Sequence, residues 1–199
     1  YRQAAVNDGI REFADLTECV TRQSTITIVG GTQEYVLSTL SDFLRLATQG
    51  VEFHYRDASS QITVLAGDDL PRREIAWLNR YEPQWRESTV ASSVQQLPQY
   101  YYLRTDGSAL QLGFVPTPCT GSSASAQVVL PYVAWPAELT SDTSEPFGGR
   151  PDLQPYHQAF VHYAAYQLEK LRRDDQASQN QFQKFLGYVE RFRMLLRPK

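Results

Sequence analysis

The 199-residue chain has few of the residues that carry metal binding or covalent cross-linking. Its two cysteines, Cys19 and Cys119, form no Cys-x-x-Cys pair, which excludes a disulfide framework and favours reduced thiols. Besides His54 it has two histidines, His157 and His162. Five residues apart in a predicted helix, these two point about 140° away from each other and cannot chelate one ion. We therefore predict neither a metal site nor a cofactor.

Long hydrophobic runs are also absent. No apolar stretch reaches the length of a membrane span, and no secretory signal is recognisable, so we expect no membrane partner. The longest uncharged segment, residues 107–137, is interrupted by Ser, Gln, Thr and Pro. A segment of that composition favours a β-rich region that other proteins contact.

Patterns that build catalytic sites are missing as well. Gly30-Gly31 is not followed by the Lys-Ser/Thr of a phosphate-binding loop, so it is interpreted as a turn. Gly121-Ser122-Ser123 lacks the strand and helix that flank a hydrolase nucleophile. The acid pairs Asp68-Asp69 and Asp174-Asp175 each precede a predicted helix, where capping explains them. We expect no catalytic residues and no enzyme activity.

Charge is distributed unevenly along the chain. The net charge of −3 comprises −1 in residues 1–22, −5 in residues 23–150 and +3 in residues 151–199. From Lys184 onward, five basic residues face the single acid Glu190. This basic tail has two interpretations, pairing with a helix C-terminus or docking onto an acidic groove or a nucleic-acid backbone.

The strongest local signal is a β-hairpin. Residues 98–103 and 110–115 are alternating runs on either side of Asp106-Gly107, a dipeptide that tolerates the positive φ of a tight turn. A further strand is predicted at 127–135. Earlier strands are predicted at 24–29, 33–37, 51–55 and 61–65, and a short helix at 71–80.

Helices are predicted at both ends of the chain. Apolar residues recur at helical spacing in 3–17, 155–173 and 176–196. The shared stripe predicts that seven side chains are buried against residues 6–14: Tyr156, Phe160, Tyr163, Phe182, Phe185, Val189 and Phe192. The fold class is therefore α+β, a helical bundle formed by residues 1–22 and 151–199 with an inserted β-rich domain at residues 23–150 that contains one short helix.

The order of these segments resembles the head–tail adaptor (connector) proteins of tailed bacteriophages. The Pro-Thr-Pro after the hairpin (116–118) and the Pro-x-x-x-Ala start of the first C-terminal helix (155–159) carry the resemblance most specifically. The remaining matching segments are Ile10–Phe13, Thr25–Ile28, Gln33–Leu37, Ser41–Arg45, Pro98–Leu103, Leu110–Leu112 and Tyr163–Ala165.

The resemblance implies a structural virion protein of the neck, at the head–tail interface, present in the host cytoplasm during assembly. It implies a ring, typically of twelve copies, that joins the portal protein to a tail or nozzle protein. Packaged double-stranded DNA would pass through the lumen of this ring with only non-specific contacts. The alternatives are a tail-associated hydrolase, which needs converging carboxylates, and a carbohydrate-binding β module, which needs a groove lined by Tyr and Trp.

Two sets of site residues follow from the resemblance. The basic tail is expected to dock onto the portal through Arg191, Arg193, Arg197 and Lys199. An uncharged, tyrosine-rich sheet loses little hydration energy when it is buried, so it suits contacts between neighbouring copies. The residues expected at this subunit interface are Tyr100, Tyr101, Tyr102, Tyr132 and Trp135.

Overall fold

The computed structural model describes residues 2–37, 39–57, 59–86, 96–107, 109–119, 125–141 and 143–196. These residues form four α-helices and antiparallel strands, so the α+β class is confirmed. The order is α1 (Arg2–Thr17), β1 (Thr21–Thr27), β2 (Glu34–Val36), β3 (Phe43–Leu46), β4 (Glu52–Arg56), β5 (Ile62–Leu65), α2 (Ile75–Tyr81), β6 (Tyr100–Asp106), β7 (Ala109–Val115), β8 (Ser125–Ala134), α3 (His157–Leu171) and α4 (Asp175–Leu196).

The chain divides into two compact units. One contains residues 1–21 and 133–199, and the other contains residues 22–132. We expected the inserted β-rich domain to end at residue 150, but residues 133–150 belong to the unit that contains the terminal helices. Within that helical unit, the Asn7 side chain accepts a hydrogen bond from the Leu139 amide (3.0 Å) and donates one to the Leu139 carbonyl (3.2 Å). This reciprocal pair attaches the segment after β8 to α1.

The β-rich unit contains two sheets. In the larger one, strands run in the order β1-β8-β4-β5, and β3 also pairs with β8. The smaller sheet has the order β2-β7-β6, and its β6–β7 hairpin has Gly107 in the turn at a φ of 60°. The hairpin prediction is thus confirmed. Strand β3 was not predicted from the sequence.

A hydrophobic cluster with members from both sheets forms the main core of this unit. Phe53 of β4 and Phe114 of β7 meet there edge to face, with ring centroids 5.8 Å apart. Such aromatic pairs stabilise a core beyond the effect of the buried area.

A second cluster joins the smaller sheet to α2 and contains Leu78, Trp85, Tyr102 and Val115. The sequence placed the start of this helix at residue 71, but α2 begins at Ile75. The backbone before it instead binds β6, because Tyr101 N–H donates to the Pro71 carbonyl and the Arg73 amide donates to the Tyr101 carbonyl.

The helical unit has its own core, to which α1, α3 and α4 all contribute. The Phe13 ring of α1 packs against the rings of Phe160 in α3 and Phe192 in α4, with centroids 5.6 and 5.7 Å apart. The predicted stripe is largely confirmed: five of its side chains are buried, and Tyr163 and Phe182 are partly buried against the cluster. The five are Tyr156, Phe160, Phe185, Val189 and Phe192.

Helix α4 starts at an acidic cap. The Asp174 carboxylate accepts a hydrogen bond from the Ala177 amide at 2.9 Å, which satisfies one of the free N–H groups of the first turn. Asp174 therefore caps α4, as the sequence predicted.

Candidate assembly surfaces

The tyrosines expected at a subunit interface are mostly buried inside the chain itself. Tyr101, Tyr102 and Tyr132 are 6%, 0% and 5% exposed. Successive strand residues point to opposite faces, so Tyr101 enters the core shared by the two sheets while Tyr102 packs against α2. These three rings are not available to a neighbouring copy, which corrects the expectation for them.

Tyr102 belongs to a polar network at the edge of its cluster. Its hydroxyl donates to Glu34 at 2.7 Å, and Arg104 donates to the other oxygen of the same carboxylate at 2.8 Å. Burial raises the pKa of Tyr102 strongly, and the hydrogen bond to the negative Glu34 raises it further. The tyrosine run thus serves packing and a hydrogen-bond network in the β unit.

Two aromatic residues of the expected interface remain accessible. Tyr100 is half-buried, and its ring centroid lies 5.3 Å from that of Trp77 and 5.4 Å from Cζ of the Arg73 guanidinium. Trp135 is 42% exposed, and the Arg11 guanidinium lies over its ring at 5.2 Å. Aromatic and arginine side chains are enriched in protein interfaces, so these pairs are the accessible candidates.

Of the four predicted portal-binding residues, the structure describes Arg191 and Arg193, and these two have different surroundings. Arg193 Nε and Nη2 donate to the Leu16 carbonyl at 3.1 and 2.8 Å, and Nη1 donates to Glu190 at 3.0 Å. Arg191 lines a cleft between α3 and α4 instead. Arg197 and Lys199 lie outside the described residues.

The exposed end of α4 is a feature that sequence analysis missed. Met194, Leu195 and Leu196 are 60%, 72% and 60% exposed, three consecutive apolar side chains at the last turn of the helix. The helical periodicity predicts Leu196 on the buried stripe of this helix, and its exposure shows that this prediction is wrong at Leu196. Exposed apolar residues grouped in this way are typical of an interaction site.

The larger sheet carries a surface depression of about 390 Å³. Polar side chains dominate its lining, and its one aromatic residue, Tyr55, is 5% exposed. The exposed Tyr and Trp groove that a carbohydrate-binding module needs is not found at this depression.

Several ionisable groups lie outside these surfaces. Burial raises the pKa of the Cys19 thiol, so it is less readily ionised than an ordinary cysteine. Among the residues that the structure describes, no three His, Cys, Asp or Glu side chains could together hold a metal ion. His162 Nδ1 lies 2.9 Å from the Gln181 amide oxygen, and His54 pairs with Glu52 at 2.9 Å.

No helix in the described part of the chain is both long enough and apolar enough to cross a membrane. Comparison with known families decides the identity: the family model of the SU10 adaptor protein matches residues 2–198. The chain belongs to the SU10 adaptor family. The sequence-based resemblance to phage head–tail adaptors is confirmed, and the match covers the terminal helices as well as the β-rich unit.

Other comparisons add little. No curated protein matches the chain. Among solved structures, the group B streptococcus pilus 2b backbone protein matches at 10% sequence identity with a TM-score of 0.26, over 62% of this chain and 43% of that chain. The chain thus spans less than half of that structure's length, and the similarity is too low to indicate a shared fold.

Membership of the SU10 adaptor family makes this chain a phage structural adaptor.

Proposed function

We propose that this adaptor assembles into a ring, of twelve copies, between the portal and the tail or nozzle in the neck of the virion. In this proposal α1, α3 and α4 form a helical bundle that carries the β-rich unit as an insertion, and packaged double-stranded DNA passes through the lumen. The ring is built during assembly in the host cytoplasm. The observation that carries the proposal is the family match over residues 2–198.

Electron cryomicroscopy of virions from the phage that encodes this chain tests the ring directly. We expect density for the adaptor between portal and tail, with one copy per symmetry position. Virions that lack the protein, or that hold fewer copies than a closed ring needs, would overturn the proposal.

The portal contact is proposed for the C-terminal end of α4 and the residues that follow it. The exposed Met194–Leu196 run supplies apolar area there, and Arg197 and Lys199 supply positive charge. Arg193 is excluded from this contact because it already binds the Leu16 carbonyl.

A truncation tests this contact if it spares the core. Removing residues 191–199 would delete Phe192, a core residue that is 7% exposed and whose ring centroid lies 5.1 Å from that of Tyr156. The deletion should therefore begin at Met194. We expect the chain lacking residues 194–199 to fold, as shown by unchanged circular dichroism, and to lose attachment to portal-containing heads. Attachment at wild-type occupancy would refute the portal contact.

Side-to-side contacts are proposed to include the accessible aromatic pairs. Tyr100 in the β-rich unit and Trp135 in the helical unit are the two expected interface residues that remain exposed enough to meet a neighbour. Substituting each by Ala should lower the number of copies per completed head while leaving the monomer folded. The buried Tyr102 is not a suitable control, because its truncation to Ala would leave a cavity in its own cluster.

A further inference from the structure

A cleft between α3 and α4 has features that packing of the helical unit does not explain. It has a volume of about 310 Å³ and is lined by His162, Lys184, Gly187, Tyr188 and Arg191. All of them except His162 lie on one side of α4, at successive spacings of three, one and three residues. Lys184, Gly187 and Arg191 are exposed on this side, whereas Tyr188 also packs against the core cluster of the helical unit.

The floor of the cleft is held in place by contacts within the chain. The His162 ring stacks on Tyr188 with centroids 5.9 Å apart and an interplanar angle of 27°. Its Nδ1 atom lies within hydrogen-bond distance of the Gln181 amide oxygen, at 2.9 Å. The floor is therefore a fixed, flat surface on which another side chain can rest.

Gly187 is the least expected residue in this cleft. Glycine is disfavoured in a helix interior, and Gly187 lies well inside the 22-residue α4. Gly9 of α1 has a packing reason, because a Cβ there would lie 3.0 Å from Tyr163 Cβ, whereas a Cβ at Gly187 would meet no atom within 4 Å. The glycine leaves an opening in which a partner can approach the backbone of α4.

Positive charge borders this opening on both sides. Lys184 and Arg191 are seven residues apart, which places them about 10 Å apart along one helix face. Both are exposed, and neither forms an ion pair with any residue that the structure describes. The cleft is therefore suited to a partner with negative charges at a similar spacing.

The same unit carries such a pattern on α1. Asp8, Glu12 and Asp15 follow one another at spacings of four and three, on the side of α1 opposite the buried Ile10 and Phe13. Asp8 also forms an exposed ion pair with Arg11 at 3.6 Å, which a partner cation would have to share. Asp8 and Asp15 are also seven residues apart, about 10 Å. Partial burial raises the pKa of Glu12, and the negative charge of Asp15 raises it further, so a neighbouring cation would stabilise this stripe.

We propose that the α3–α4 cleft of one copy receives the acidic stripe of α1 from the next copy. This inference rests on the proposed ring and names one of its side-to-side contacts. A head-to-tail ring joins two different faces of the same subunit, and this basic cleft and this acidic helix face are complementary in charge and in spacing. Arg191 then belongs to the contact between copies, and the portal contact lies beyond it.

Charge reversal with rescue tests the contact. One variant carries Lys184→Glu and Arg191→Glu, a second carries Asp8→Lys and Glu12→Lys, and a third combines all four. We expect each double variant to lower the number of adaptor copies on completed heads roughly tenfold, a typical effect for a close charge pair, and the fourfold variant to restore it. A matched control, Lys170→Glu with Arg172→Glu, makes the same charge change at the end of α3 and should assemble normally.

A substitution at Gly187 tests the same contact without changing any charge. Gly187→Gln should raise Tm, because Gln is the better helix former, yet lower the copy number by filling the opening. Normal assembly of Gly187→Gln, or a fourfold variant that is folded and not rescued, would overturn the proposed contact.

Two further outcomes separate the possible failures. If the wild-type chain itself forms no ring on heads, the proposed function fails first. If reversal at Lys184 and Arg191 leaves the copy number unchanged but alters retention of packaged DNA, the cleft meets nucleic acid, and the contact between copies is refuted.

Discussion

Tyr102 and Gly113 face each other across the β6–β7 hairpin, and the tyrosine ring occupies the space where a side chain at Gly113 would lie. The ring extends over the glycine to reach Glu34 on β2, so the network depends on the absence of a Cβ at this position. A glycine inside a strand often marks such a close approach.

Gly113→Ala should therefore destabilise the chain. The added methyl group overlaps the Tyr102 ring, and overpacking of this kind lowers the free energy of unfolding by about 1–3 kcal/mol. Urea unfolding followed by fluorescence measures the change. Gly30→Ala is the matched control, since its Cβ would lie at an ordinary contact distance of 3.7 Å from Cys119 Sγ. Equal stability of the two variants would contradict the close approach.

Phe185→Ala should be among the most destabilising substitutions in the helical unit. Phe185 is fully buried, and its ring centroid lies 5.0 Å from that of Tyr163. Truncation to Ala leaves a cavity and should lower the free energy of unfolding by about 3–5 kcal/mol. Met194→Ala, at an exposed position of the same helix, should change stability little. A loss below about 1 kcal/mol for Phe185→Ala would show that the assigned core face is wrong.

Arg193→Ala tests whether this arginine is structural. It removes two hydrogen bonds to the Leu16 carbonyl near the end of α1, and the exposed position limits the expected loss to about 1 kcal/mol. At a temperature well below the Tm of the variant, its attachment to portal-containing heads should equal that of the wild type. Loss of attachment without a change in Tm would assign Arg193 to the portal contact after all.

Stability should fall at alkaline pH. Burial raises the pKa of several tyrosines above the ordinary value of about 10: Tyr35, Tyr101, Tyr102, Tyr132 and Tyr163. Above that pH the unfolded chain releases protons that the folded chain retains, so the free energy of unfolding decreases as pH rises.

Urea unfolding at pH values between about 8 and about 11 measures this decrease. Tyr102→Phe removes the tyrosine with the largest upward shift, so its stability should depend less steeply on pH in this range. An identical slope in the variant and the wild type would contradict the assignment to Tyr102.

Local sequence patterns were sufficient for much of the fold. Asp106-Gly107 between two alternating runs predicted the β6–β7 hairpin, and the 3.6-residue periodicity of Phe185, Val189 and Phe192 predicted the buried face of α4. Strand β3 was missed because its four residues show no clear alternation. The start of α2 was misplaced because the residues before it pair with a distant strand.

The sequence alone determined where elements form and which helix faces are apolar, because these properties depend on residues within a few positions of one another. Only the tertiary structure decided which side chains remain available to partners. Tyr101, Tyr102 and Tyr132 are buried because sheets and helix formed far apart in the chain cover them, and Arg193 binds Leu16 across 177 residues. The cleft beside Gly187 likewise exists only because α3 and α4 pack side by side, a contact that no local pattern specifies.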